Sequence, residues 1–139
     1  MMNNELLDNW LSLSHIQMKI NNKLEIAFQD KHNITLKEFY VLYHLLLADD
    51  KKLRLQDLPD LVGLSQSAVS RLVTRLEAKN CKGLERDVCE GDRRGVYTRL
   101  SARGEEEVRK CIDTFHQIYV SAASEQNIKQ ELQILIKKI

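Results

Sequence analysis

The 139-residue chain is the length of one domain and can bury a core of its own without disulfide or metal staples. Its 43% hydrophobic and 29% charged residues are those of an ordinary globular protein, and five glycines with one proline leave little room for a turn-rich β fold. No apolar run reaches the ~18 residues of a transmembrane helix, MMNNELLDNW lacks a signal-peptide pattern, and a net charge of +1 does not by itself select a polyanionic partner. A cytoplasmic location without membrane contact is expected.

Residues 5–31 read as a long helix. Leu6, Trp10, Leu13, Ile20, Leu24 and Phe28 recur at helical steps, and Leu7, Leu11, Met18 and Ile26 widen the stripe beyond what one neighbour covers. Asn33 ends this helix. Thr35 and Glu38 form a T-x-x-E capping box that opens the next, in which Leu36, Phe39, Tyr43 and Leu46 share a face. ADDKK breaks it, and a short apolar piece at Leu53 and Leu55 follows. Pro59 is tolerated only in a first helical turn, so QDLPDLVG predicts a short helix from about Gln56 with Gly63 as its stop.

Ser65 then caps a helix running to about Asn80, with Val69, Leu72, Val73 and Leu76 on its inner face. A three-residue turn between two such helices is helix-turn-helix spacing. LERDV and VYTRL are β-prone runs joined by CEGDRRG, whose Gly91, Asp92 and Gly95 suit a hairpin. Ser101 begins a helix with Glu105, Glu106 and Glu107 near its positive end and a stripe of Val108, Cys111, Ile112, Phe115, Tyr119 and Ala122. A last helix after Ser124 carries Ile128, Leu132, Leu135, Ile136 and Ile139. The expected fold is mainly α: a winged helix-turn-helix over residues 33–100, flanked by N- and C-terminal helices, 1–32 and 101–139, in a single domain. Those flanking helices carry more apolar surface than one small domain covers, which points to a second copy.

The charge is segregated. Residues 65–104 hold nine basic and five acidic side chains, a local +4 against −3 over the rest of the chain. The outward face of the helix that Ser65 caps explains why. Gln66, Ser67 and Ser70 are short hydrogen-bonding side chains suited to close approach in a major groove about 12 Å wide. Arg71 can grip a guanine edge, Arg75 a phosphate, and Ser65 sits where phosphates meet a helix N-terminus. Arg93 and Arg94 stand at the hairpin tip, where an extended arginine fits a minor groove, and Asp92 can hold one of them in direction.

Other chemistry finds no local signature. There is no Gly-rich phosphate loop, HExxH or nucleophile elbow, so neither an enzyme nor a cofactor is expected. Cys81, Cys89 and Cys111 are an odd count without CxxC spacing, and His15, His32, His44 and His116 make no close pair. The rival readings are a winged-helix module that docks acidic protein and a regulator that senses redox state through a thiol, with Cys89 beside the wing as the first to test.

The run from ITLKEFYVLYHLL through LQDLPDLVGLSQSAVSRLVTRLEAK to GDRRGVYTRLSARG resembles the MarR family of bacterial transcription regulators. Asp92, Arg94, Leu100 and Ser101 occupy the positions of that family's wing pattern, Gly104 matches its following glycine, and Thr98 stands where valine is usual. The link AKNCKGLERDV is longer than the family's usual one, and Pro59 is unusual in the helix before. The resemblance implies a homodimer, held by its terminal helices, whose two winged lobes bind a palindromic operator in double-stranded DNA. It also implies a repressor released by a small-molecule effector, a metal or thiol oxidation. Trp10, His15, Phe39, Tyr43, His44 and Phe115 are aromatic candidates for an effector pocket, with no effector residue assigned.

Overall fold

In the computed structural model, which describes residues 4–79, 83–88 and 95–138, the helix boundaries fall where the capping chemistry lies. Helix α1 runs Glu5–His32 and ends as Asn33 turns into the left-handed conformation, its N–H returning to the carbonyls of Phe28 and Gln29. Helix α2 spans Leu36–Leu47 behind the complete capping box: Thr35 Oγ1 accepts from the Glu38 N–H and the Glu38 carboxylate accepts from the Thr35 N–H. Asp50 and Lys51, both at positive φ, break the chain before strand β1, Lys52–Arg54. Helix α3 is Leu58–Val62, entered through a 3-10 turn over Leu55–Asp57. It therefore begins two residues later than expected, because Pro59, at the first turn, donates no N–H to a preceding helical turn. Helix α4 is Gln66–Ala78, strands β2 and β3 are Leu84–Val88 and Val96–Leu100, and helices α5 and α6 are Ala102–Ala123 and Gln126–Lys138.

The chain divides into two compact units, Ile34–Ile112 and Met1–Asn33 with Asp113–Ile139. In the first, α2, α3 and α4 enclose a core of Ile34, Leu36, Val41, Leu42, Leu45, Leu58, Val69, Val73 and Leu76, all fully buried. The three strands form an antiparallel sheet in the order β1-β3-β2. Leu53 faces Thr98, and Leu84 faces Leu100. That register puts Thr98 and Leu100 on the buried face and Tyr97 and Arg99 on the other, the period-two alternation of a half-buried strand.

In the second unit α1 packs on α6 through Ile16, Ile128 and Leu135, with Ile20 and Leu132 against them. Farther along α1, Leu24 and Phe28 are buried, and His32 Nε2 lies 2.7 Å from the Thr114 hydroxyl. Lys23 pairs with Glu125. Several residues of the expected stripes are not covered. Leu6, Leu7, Trp10, Leu11, Leu13, Met18 and Ile26 of α1 are exposed, as are Tyr119 of α5, Ile136 of α6 and Tyr43 of α2. Ile16, outside the expected stripe, is buried instead. Helical spacing predicts a shared face, but burial also requires something opposite that face. No helix among the described residues is long and apolar enough to cross a membrane.

Candidate nucleic-acid interface

The turn between α3 and α4 is built by two residues. Gly63 takes a left-handed φ of 69°, and both its N–H and that of Leu64 return to the Pro59 carbonyl at 2.9 and 3.2 Å. Lys37, from α2, donates its ammonium to the Val62 carbonyl at 3.0 Å, which closes the C-terminal end of α3. Ser65 stays extended and its hydroxyl accepts from the Ala68 N–H at 3.2 Å, so α4 starts there.

The inner face of α4 is fixed by packing. Val69, Leu72, Val73 and Leu76 are all buried, and each such side chain is worth roughly 1.5–3 kcal/mol on leaving water. With that face set, helical geometry turns Ser65, Gln66, Ser67, Ser70, Arg71 and Arg75 outward, and all six are exposed. The first turn contains no acid. Neither Arg71 nor Arg75 makes an ion pair with a described residue. The face thus offers short hydroxyls, one amide and two guanidiniums at a helix N-terminal half, an arrangement suited to an anionic ligand.

Not every outward polar residue is available. Thr74 donates its hydroxyl to the Ser70 carbonyl at 2.9 Å and accepts from Arg86 Nη2 at 3.2 Å. Arg86, on β2, also directs Nε at both carboxylate oxygens of Glu77, 2.8 Å away. At the far end of α4, Lys79 reaches the Glu38 carboxylate at 3.5 Å, and Glu38 is only 1% exposed. The capping box of α2 thereby also anchors the end of α4. These ties were not legible in the sequence, because Arg86 and Glu77, like Glu38 and Lys79, are brought together by strand and helix packing rather than by spacing.

At the wing root Glu85 and Arg99 face one another across the strands and pair at 2.9 Å. On the same sheet face Lys52 and Arg54 lie 5.1 and 5.5 Å from the centre of the Tyr97 ring, and Arg54 Nε donates to the Tyr97 hydroxyl at 2.9 Å. The alternation in KLR and VYTRL was the available signal for this cationic face. The expected wing-tip residues Asp92, Arg93 and Arg94 lie outside the described residues, as do Cys81 and Cys89. Cys111 is buried. Among the described residues no group of three His, Cys, Asp or Glu side chains could hold a metal ion.

The aromatic candidates for an effector pocket fall in different units: Trp10, His15 and Phe115 in one, Phe39, Tyr43 and His44 in the other. Trp10, His15 and Tyr43 are exposed, whereas Phe39 is buried. In the unit of the terminal helices an open cleft is lined by Asp8, Leu11, Ser12, His15 and Glu131. There His15 Nδ1 lies 3.4 Å and Lys19 Nζ 3.9 Å from the Glu131 carboxylate.

The family model described as "Transcriptional regulator SarA/Rot" matches residues 23–111, more than half of the chain. No match was found among curated protein sequences. Among solved structures, Sco3205, a MarR family transcriptional regulator from Streptomyces coelicolor in complex with DNA, is 19% identical with a TM-score of 0.79, covering 99% of this chain and 87% of that one. A MarR/EmrR family transcriptional regulator from Acinetobacter sp. ADP1 is 27% identical with a TM-score of 0.71, over 99% and 94%. Bordetella bronchiseptica BpsR, whose DNA binding is regulated by 6-hydroxynicotinic acid, is 21% identical with a TM-score of 0.69, over 91% and 88%.

Proposed function

The chain belongs to the SarA/Rot family of transcriptional regulators and has the winged-helix fold of MarR regulators, and on that premise we propose that it acts as a homodimeric, ligand-responsive repressor of a palindromic DNA operator. Helix α4 enters the major groove. Gln66, Ser67, Ser70 and Arg71 meet base edges there, while Ser65 and Arg75 hold phosphates. Arg93 and Arg94, with Asp92 directing one of them, reach the adjacent minor groove.

The observation that carries this reading is the outward face of α4. Its two arginines have no ion-pair partner among the described residues, while Arg86 and Arg99 on the neighbouring sheet are both paired with acids. Together with short hydroxyls, an amide and no acid in the first turn, these cations give the composition of an anion-binding helix face. Dimerisation is supported by the bare apolar residues of the terminal helices, among them Leu6 at 85% and Trp10 at 63% exposure. Release by an effector is supported by the similar BpsR, whose DNA binding responds to a small aromatic acid.

The test is selection of bound fragments from random duplex DNA, followed by anisotropy titrations across salt concentrations. The expected result is an inverted-repeat site whose half-sites lie about 34 Å, one helical turn, or a multiple of it apart, with affinity falling steeply as salt rises. Binding to no duplex at low salt overturns the reading. A screen of small molecules for release of the selected duplex then tests effector control.

A further inference from the structure

We propose that Arg86 is a positioning residue that locks the wing to the recognition helix, so that the two meet DNA as one rigid body. The inference rests on the DNA-binding reading and assigns to that site a residue that does not itself touch DNA.

Arg86 lies on β2, the strand that leads toward the wing tip. Its guanidinium makes three contacts with α4: Nε to both Glu77 oxygens at 2.8 Å, and Nη2 to Thr74 Oγ1 at 3.2 Å. Thr74 and Glu77 are three residues apart, neighbours on one helix face, so the planar fork spans a full helical turn. Thr74 is itself held, donating to the Ser70 carbonyl. The root of the same strand is fixed at a second point, where the Gly83 carbonyl accepts from the Ser101 N–H at 2.7 Å. Two fixed points determine the direction in which β2 leaves the body of the lobe.

The charges support positioning over contact. Arg86 and Glu77 are 41% and 22% exposed, so the pair is partly open to water and its coupling is modest. Its carboxylate neutralises the guanidinium, and a phosphate competing for Arg86 has to displace Glu77. Glu77 is moreover an acid on the helix that faces a polyanion, a placement that long-range electrostatics disfavours. The clasp gives that acid a role. A wing held in place before binding loses less conformational freedom on docking, and that saving appears as affinity.

The experiment uses the full chain, the duplex selected by the wild-type protein, and four variants: Glu77→Gln, Arg86→Gln, Arg86→Glu, and the exchange of Glu77→Arg with Arg86→Glu. Glu77→Gln is the discriminating variant. Simple electrostatics has it bind DNA more tightly, since an acid has been removed. The clasp has it bind severalfold more weakly. Hydroxyl-radical protection of the minor groove should be lost while guanine protection in the major groove stays. Arg86→Gln should match it, and the exchanged pair should recover most of the affinity lost in Arg86→Glu. Urea unfolding of Glu77→Gln, Arg86→Gln and their double variant without DNA should show coupling between the two positions. Tighter binding by Glu77→Gln, an unchanged minor-groove footprint, an exchanged pair no better than Arg86→Glu, or absent coupling each overturns the proposal. Wild-type protein that binds no duplex overturns the DNA reading and takes the positioning role with it, while the DNA-free coupling still reports whether the clasp exists.

Discussion

Arg71 and Arg75 share a helix face and an exposed setting, yet distinct effects are expected of them. Arg71 lies nearer the N-terminal half of α4, the part of a recognition helix that meets base edges. Arg71→Ala should cost about 1–3 kcal/mol of operator binding and relax preference at one base pair. Arg75→Ala should weaken all duplexes alike and reduce the salt slope by about one. Titrations at several salt concentrations on matched and mismatched duplexes distinguish these, and equal affinity for Arg71→Ala removes that residue from the interface. Thr98 raises a different question. It is fully buried on the inner sheet face, and its hydroxyl has no hydrogen-bond partner among the described residues. It also occupies the position where the wing pattern usually has valine. A buried unsatisfied hydroxyl costs about 1–3 kcal/mol, so Thr98→Val should raise the unfolding free energy by about 1 kcal/mol, read as a higher urea midpoint. A drop of similar size would show that the hydroxyl is satisfied in solution.

At the scale of elements, the best-read parts are those with local chemical signals. The α3–turn–α4 unit was legible because Gly63 can adopt the left-handed φ that ends a helix, while Ser65 can cap the next one. Ser65→Ala should cost about 1 kcal/mol of stability, measured by thermal unfolding. The junction of wing and α5 was not legible. Gly83 combines a φ of 64° with contact against α5: an added Cβ would lie 2.3 Å from Ser101 Oγ and 2.5 Å from the Gly104 nitrogen. Nothing in CKGLERD announces this, because the crowding comes from a helix that begins well downstream. Gly83→Ala should destabilise the fold by about 1–3 kcal/mol and disturb the root of β2. A variant as stable as the wild type would show that the link relaxes around the methyl group.

The whole molecule poses the question of what covers its apolar helices. Leu6, Trp10 and Leu11 of α1 and Ile136 of α6 remain exposed in a single chain, and they are the surface that the proposed dimer would cover. Sedimentation should give twice the 16.2 kDa chain mass. Leu6→Glu with Trp10→Glu should shift the protein to monomer and, because each half-site is then held alone, lower operator affinity by at least about tenfold. A wild-type monomer at micromolar concentration would end the dimer proposal.

The sequence by itself determined the element order, the helix-turn-helix, the limits of the two hairpin strands and the exposed face of α4. Each is set by short-range physics: helical and strand periodicity, capping side chains, a left-handed glycine and the proline at a first turn. The tertiary structure decided which members of each apolar stripe are covered, how Lys79 meets buried Glu38, and that Thr74 and Arg86 are bound to one another while Arg71 and Arg75 face outward. These depend on partners remote along the chain, and periodicity reports which way a side chain points but not what stands opposite it.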